Sequence, residues 1–219
     1  MEKSVKNNRP KVVIKSSLLL VIFFSILVSV NYIQLPLGND FIYQNSTFCF
    51  YFILFLVVIM LFFNELLSEI LVFDKTKLKI LYIIALLTFL AMVFSAIVLN
   101  ILRIDSLNQV ELDNAEDNSM LLKLTSIFLG PVVEEIVFRY SIFSLFSSKK
   151  LLASIVSVAA FSFMHVWDYI LIDGIVEQFV AMLPYVCFGI GSCVLYVKTQ
   201  NICFPILLHA IINLITVVL

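Results

Sequence analysis

Charge is scarce in this sequence. Asp, Glu, Lys and Arg make up 13% of the 219 residues, against 62% hydrophobic. A soluble domain carries about 25% charged and about 45–50% apolar residues, so the chain has too little polar surface to clothe a water-soluble globule. Glycine and proline are also few, five of each, which excludes a collagen-like or low-complexity chain, while the apolar excess excludes disorder. The four cysteines, Cys49, Cys187, Cys193 and Cys203, include no C-x-x-C pair and lie in or beside apolar runs. That placement fits small apolar filler on helix surfaces, and neither a disulfide framework nor a zinc knuckle.

What the sequence has in quantity is long apolar segments rich in Leu, Ile and Phe. A bilayer core requires about 20 apolar helical residues. Seven segments approach that length, near residues 16–35, 48–71, 79–102, 121–146, 151–168, 176–197 and 202–219. The expected fold is an all-α, polytopic transmembrane helix bundle of about seven spans, or six if the short fifth or seventh segment is only partly inserted. Unbroken runs exclude the ten-residue alternation of an outer-membrane barrel. The first run follows a basic stretch as a secretory signal would, but no small-x-small cleavage site follows it, so an uncleaved span is expected.

Lys and Arg in short loops set orientation. Lys3, Lys6, Arg9, Lys11 and Lys15 precede the first span, Lys75, Lys77 and Lys79 follow the second, Lys149 and Lys150 the fourth, and Lys198 the sixth. Between them fall loops holding Asp40, then Asp105, Glu111, Asp113, Glu116 and Asp117, then Asp168, Asp173 and Glu177. The alternation predicts a cytoplasmic N-terminus and, with seven spans, an external C-terminus. It also predicts a basic cytoplasmic segment at 1–15 and one helical membrane domain at 16–219. The partners expected are the lipid bilayer and a membrane-associated substrate, with no nucleic acid; oligomeric state is not specified.

Few ionisable residues remain inside the spans: Glu65, Glu69, Glu134, Glu135, Arg139, His165 and His209. Each costs on the order of 3 kcal/mol at mid-bilayer on insertion scales, so each is a candidate for function. In GPVVEEIVFRY, Glu135 and Arg139 are i and i+4 with the acid first, the favourable order for a helical ion pair. Adjacent carboxylates diverge by about 100° around a helix, which leaves Glu134 without a local partner and makes it the candidate working group. Phe161 and His165 share a face, as do His209 and Asn213. At about 1.5 Å of rise per residue, Glu134, His165 and Asn213 reach similar depths of about 15–20 Å, with His209 at about 10 Å. Glu65 and Glu69 form a second i, i+4 pair, which would either line a water-filled entrance or, the favoured reading, bring Glu69 to the headgroup layer near Lys75 and Lys77. Pro184 and the Gly189, Gly191 pair are expected to mark a kink and a close helix contact.

A buried carboxylate, two histidines and an asparagine in one layer suit a hydrolase, with the carboxylate as general base on water and the Asn and a His donating to the oxyanion. No serine or cysteine stands beside a base, which disfavours a covalent mechanism. Glu and two His would also suit zinc; H-E-x-x-H is absent, so no cofactor is the favoured expectation, with a zinc-dependent variant as the alternative.

The ordered set E-E-x-x-x-R (Glu134, Glu135, Arg139), F-x-x-x-H (Phe161, His165) and H-x-x-x-N (His209, Asn213) resembles the CPBP family, the CAAX protease and bacteriocin-processing family, also called Abi. The resemblance covers about residues 121–217. It implies an intramembrane endopeptidase of the glutamic type acting on a peptide or lipid-anchored substrate. In that family the residues matching Glu134 and His165 activate water, those matching His209 and Asn213 form the oxyanion site, and Glu135, Arg139 and Phe161 support them. It further implies roles in bacteriocin maturation, self-immunity or peptide signalling. The alternative function is a non-enzymatic membrane immunity or scaffold protein that keeps the fold; a proton-coupled transporter is the least favoured. Lysine-, asparagine- and isoleucine-rich usage points to a bacterial cytoplasmic membrane.

Overall fold

A computed structural model of the chain describes residues 2–32, 46–104, 120–167 and 174–218. Asp40, the acidic stretch from 105 to 117, and Asp168 and Asp173 lie outside them. The described residues are helical throughout, with no strand among them. We number the helices α1 (Glu2–Tyr32), α2 (Ser46–Leu71), α3 (Leu78–Leu102), α4 (120–145), α5 (Lys150–Met164), α6 (Ile175–Ala181), α7 (Leu183–Thr199) and α8 (Cys203–Val218). Helix α1 runs through the basic segment at 1–15 and on into the first apolar run.

Among the described residues, three stretches are long and apolar enough to cross a bilayer: Pro10–Ser29, Ser46–Leu71 and Lys75–Leu102. The α6–α7 pair, bent by 41°, makes a fourth if taken as one span. Seven was the expectation from apolar length, and the difference has local causes. Helix α4 is apolar but is divided by two π-helical stretches, Thr125–Leu129 and Ile136–Ser141. Helix α5 has only 15 residues and α8 only 16. The α6–α7 bend falls where Pro184 enters the first turn of α7, since proline has no N–H to continue the ladder.

Helix α7 sits between α3 and α5. A Cβ on Gly191 would collide with the Thr88 hydroxyl of α3, whereas one on Gly189 would meet Val158 of α5 at an ordinary contact distance of 3.4 Å. Gly191 is therefore the condition for the close α3–α7 crossing. The core runs through the bundle as Phe23, Leu54, Phe62, Phe138, Phe161, Leu195 and Leu208, all buried. Outward-facing apolar residues such as Met60, Leu87 and Phe94 are exposed, as a lipid-facing surface requires.

One end of the bundle is tied together by polar contacts. Lys15 of α1 donates to Glu65 of α2 at 2.7 Å, and Ser16 and Ser144 share a hydrogen bond of 2.8 Å. Lys77 donates to the Thr199 carbonyl at 2.8 Å, and Asn201 donates to the Glu69 carbonyl at 2.7 Å. The Glu69 carboxylate accepts from the Ile202 N–H at 3.3 Å, so Glu69 faces the α7–α8 turn. In the connection from α2 to α3, Asp74 accepts from the Thr76 hydroxyl and N–H. Those bonds hold its carboxyl below the usual aspartate range.

Candidate active site

The site is built on α4, whose irregular hydrogen bonding follows from Pro131. The Gly130 N–H bonds to the Thr125 carbonyl, five residues back. The Ser126 carbonyl thereby loses its α-helical donor, and the π-helical donor would be residue 131, a proline with no N–H. Asn213 of α8 supplies the missing hydrogen, its Nδ2 lying 2.7 Å from Ser126 O. One of the two amide hydrogens of Asn213 is thus committed to holding α8 against α4, and the other has no hydrogen-bond partner among the described residues.

Glu134 and Glu135 lie three and four residues after Pro131 and are both buried. Their carboxylates diverge and come to opposite nitrogens of one ring, that of His209. Glu135 Oε1 lies 3.0 Å from His209 Nδ1, and Glu134 Oε2 lies 3.9 Å from His209 Nε2. Glu135 Oε2 takes the Ser192 hydroxyl at 2.7 Å and faces Arg139 Nε at 3.2 Å. The expected i, i+4 pair is present, with both side chains fully buried. Arg139 also stacks over Phe161, with its guanidinium carbon 4.4 Å from the ring centre, a favourable contact for a desolvated cation.

Glu134 differs in its surroundings. Its Oε1 accepts a hydrogen bond from the Tyr51 phenol of α2, while Oε2 is buried with no hydrogen-bond partner among the described residues. The expectation of a glutamate without a local partner is correct for its own helix, but a distant helix supplies one.

His165 ends α5. Its Nδ1 lies 2.8 Å from the Phe161 carbonyl. A carbonyl only accepts, so Nδ1 carries the proton and the neutral ring keeps its lone pair on Nε2. The ring stacks on Tyr185 with centroids 4.3 Å apart, contacts Phe161 at 4.6 Å, and stands within electrostatic reach of Glu134 and His209. Phe161 and Phe188 also flank the His209 ring, at 6.0 and 4.5 Å.

Arg139, His165 and His209 therefore share the Phe161 ring, and Glu134 and Glu135 approach opposite sides of His209. Asn213 instead reaches the Ser126 carbonyl, one π-turn before the glutamates. Sequence reasoning missed Tyr51 and Ser192. Tyr51 sits in a run of aromatics near a span start, where tyrosine reads as an interfacial anchor, and Ser192 reads as a small residue at a helix crossing. No group of three His, Cys, Asp or Glu side chains arranged to hold a metal ion occurs among the described residues. The four cysteines are all free thiols.

The family model of type II CAAX prenyl endopeptidase Rce1-like proteins matches residues 116–215. No curated protein and no solved structure matches the chain. The match takes in α4 to α8, and with them Glu134, Glu135, Arg139, His165, His209 and Asn213. Over this region the chain is similar to type II CAAX prenyl endopeptidase Rce1-like proteins.

Proposed function

We propose that the chain is an intramembrane endopeptidase of the glutamic type. It hydrolyses a peptide bond in a membrane-associated peptide or a lipid-anchored protein, with Glu134 and His165 activating water and His209 and Asn213 stabilising the oxyanion. One observation supports this reading above the others. Glu134 Oε2 is a buried carboxylate oxygen with uncommitted lone pairs, beside the imidazole of His209.

In the proposed reaction water attacks the scissile carbonyl carbon while Glu134 Oε2 takes a water proton, and the His165 Nε2 lone pair orients the water. The carbonyl π electrons move to oxygen, and the oxyanion accepts hydrogen bonds from His209 Nε2–H and the second Nδ2 hydrogen of Asn213. The ring presents Nδ1 to Glu135 and Nε2 to the Glu134 side. Collapse of the intermediate breaks the C–N bond, and the leaving nitrogen takes the proton held by Glu134. The products are a carboxylic acid and an amine. Glu135, Arg139 and Phe161 hold the ring and α4 in place. No metal takes part in this scheme, and bacteriocin maturation, self-immunity or peptide signalling are its proposed settings, in a bacterial cytoplasmic membrane.

The test is cleavage by purified protein in liposomes, with peptides drawn from precursors encoded beside its gene and a farnesylated CAAX-type peptide as probes. Glu134→Gln and His165→Ala should each lower kcat by about 10²–10⁴-fold, the usual contribution of positioned acid–base groups. Cleavage at the wild-type rate in either variant would sink the assignment. Fully active protein should also contain no stoichiometric zinc by elemental analysis and should survive chelators.

A further inference from the structure

We infer that Tyr51 is a positioning residue for Glu134, so that the N-terminal half of the chain completes the site carried by the matched region. The inference rests on the reading of Glu134 as the base. Tyr51 lies on α2, outside residues 116–215. Its phenol is the hydrogen-bond donor that Glu134 has among the described residues. The neighbouring Glu135 shows the contrast, with contacts to Arg139, His209 and Ser192.

The two oxygens of a carboxylate are equivalent until something distinguishes them, and rotation about the last side-chain bond exchanges them at low cost. The Tyr51 bond fixes Oε1 and so leaves Oε2 on the His209 side, the oxygen that must take the proton. Local packing holds the phenol in that position. A Cβ on Gly130 would lie 3.9 Å from Tyr51 Cε1 and 3.7 Å from Glu134 Oε1, so the pair lies over a residue without a side chain. The Phe50 ring meets Tyr51 edge-on at 5.0 Å. A phenol suits the task because it donates one hydrogen bond without adding a charge.

The experiment uses the full-length protein in liposomes, with two readouts. Tyr51→Phe keeps the ring and removes the donor. It should lower kcat on the farnesylated CAAX-type peptide by about 10- to 100-fold, the range for a hydrogen bond to a charged group, with KM changed less than twofold. The second readout needs no cleavage. The Glu134 band is identified in the infrared difference spectrum between wild type and Glu134→Gln, and Tyr51→Phe should shift it. Fluorotyrosine at position 51, which keeps the packing and strengthens the donor, should shift the band the opposite way and covers the case in which Tyr51→Phe does not fold. An unmoved band in the folded variants overturns the role of Tyr51 whatever the activity. A Glu134→Gln protein that cleaves normally overturns the proposed function instead, and the two failures are distinct.

Discussion

At the scale of single residues the organising element is the His209 ring, gripped on one nitrogen by Glu135 and approached on the other by Glu134. The Glu135–Arg139 pair is wholly buried, so its stability effect is asymmetric. Removing one partner leaves the other charge unpaired in an apolar interior, which typically costs roughly 3–5 kcal/mol. Arg139→Leu should therefore lower unfolding stability in detergent by about that amount, and Ser192→Ala, which removes one hydrogen bond to Glu135, by about 1.5–3 kcal/mol. Equal stability of Arg139→Leu and wild type would mean that Glu135 is not held as a charged partner. The Glu135–Arg139 contact was legible because an i, i+4 spacing is a property of one helix. The contacts of Tyr51 and Ser192 were not, because each joins residues more than fifty positions apart, and spacing carries no information about which helices become neighbours.

At the scale of elements, hydropathy located α1, α2 and α3 because a long regular helix and a long apolar run coincide there. It overestimated the regularity of α4, since hydropathy does not register a change in hydrogen-bond pattern. The signal that could have shown the change is Pro131, which removes a donor inside an apolar helix. Asn213 and the π stretch are then two halves of one device, and their energies should couple. Pro131→Ala supplies an N–H to the 126–127 carbonyls and reduces the need for Asn213. Asn213→Leu should accordingly be less destabilising in the Pro131→Ala background, by about 1 kcal/mol in a double-mutant cycle read by thermal unfolding; strict additivity would separate the two. The α3–α7 crossing has a similar test. Gly191→Ala forces a methyl against Thr88, a clash of the kind that costs about 1–3 kcal/mol. Thr88→Ala should restore part of that loss, because the hydroxyl in the way is removed and has no hydrogen-bond partner among the described residues.

Across the whole molecule, the charge pattern and the packing bear on the same question from different directions. Four basic stretches were expected on one side of the membrane, and the contacts bring their neighbourhoods to one end of the bundle. Lys15 meets Glu65, Ser16 meets Ser144, Lys77 meets Thr199, and Phe73 of the α2–α3 connection stacks on Phe204 of α8 at 4.6 Å. Each basic stretch is separated from the next by a pair of apolar segments, so a chain that returns to the same end each time makes an even number of passes between them. We propose seven crossings on this ground, with the short α5 and α8 reaching through by protein-lined rather than lipid-lined paths, and with the shared end cytoplasmic because lysine is retained there. Cysteine labelling checks this. In a background with the four native cysteines replaced by alanine, single cysteines at Lys75, Lys149 and Lys198 should react with a membrane-impermeant maleimide in inside-out vesicles and not in intact cells, and one at Asp40 should do the reverse. Labelling of Lys198 and Lys75 from opposite sides would break the pairing of passes and with it the seven-span count. Labelling of all three lysine positions from outside would keep the count and reverse the orientation.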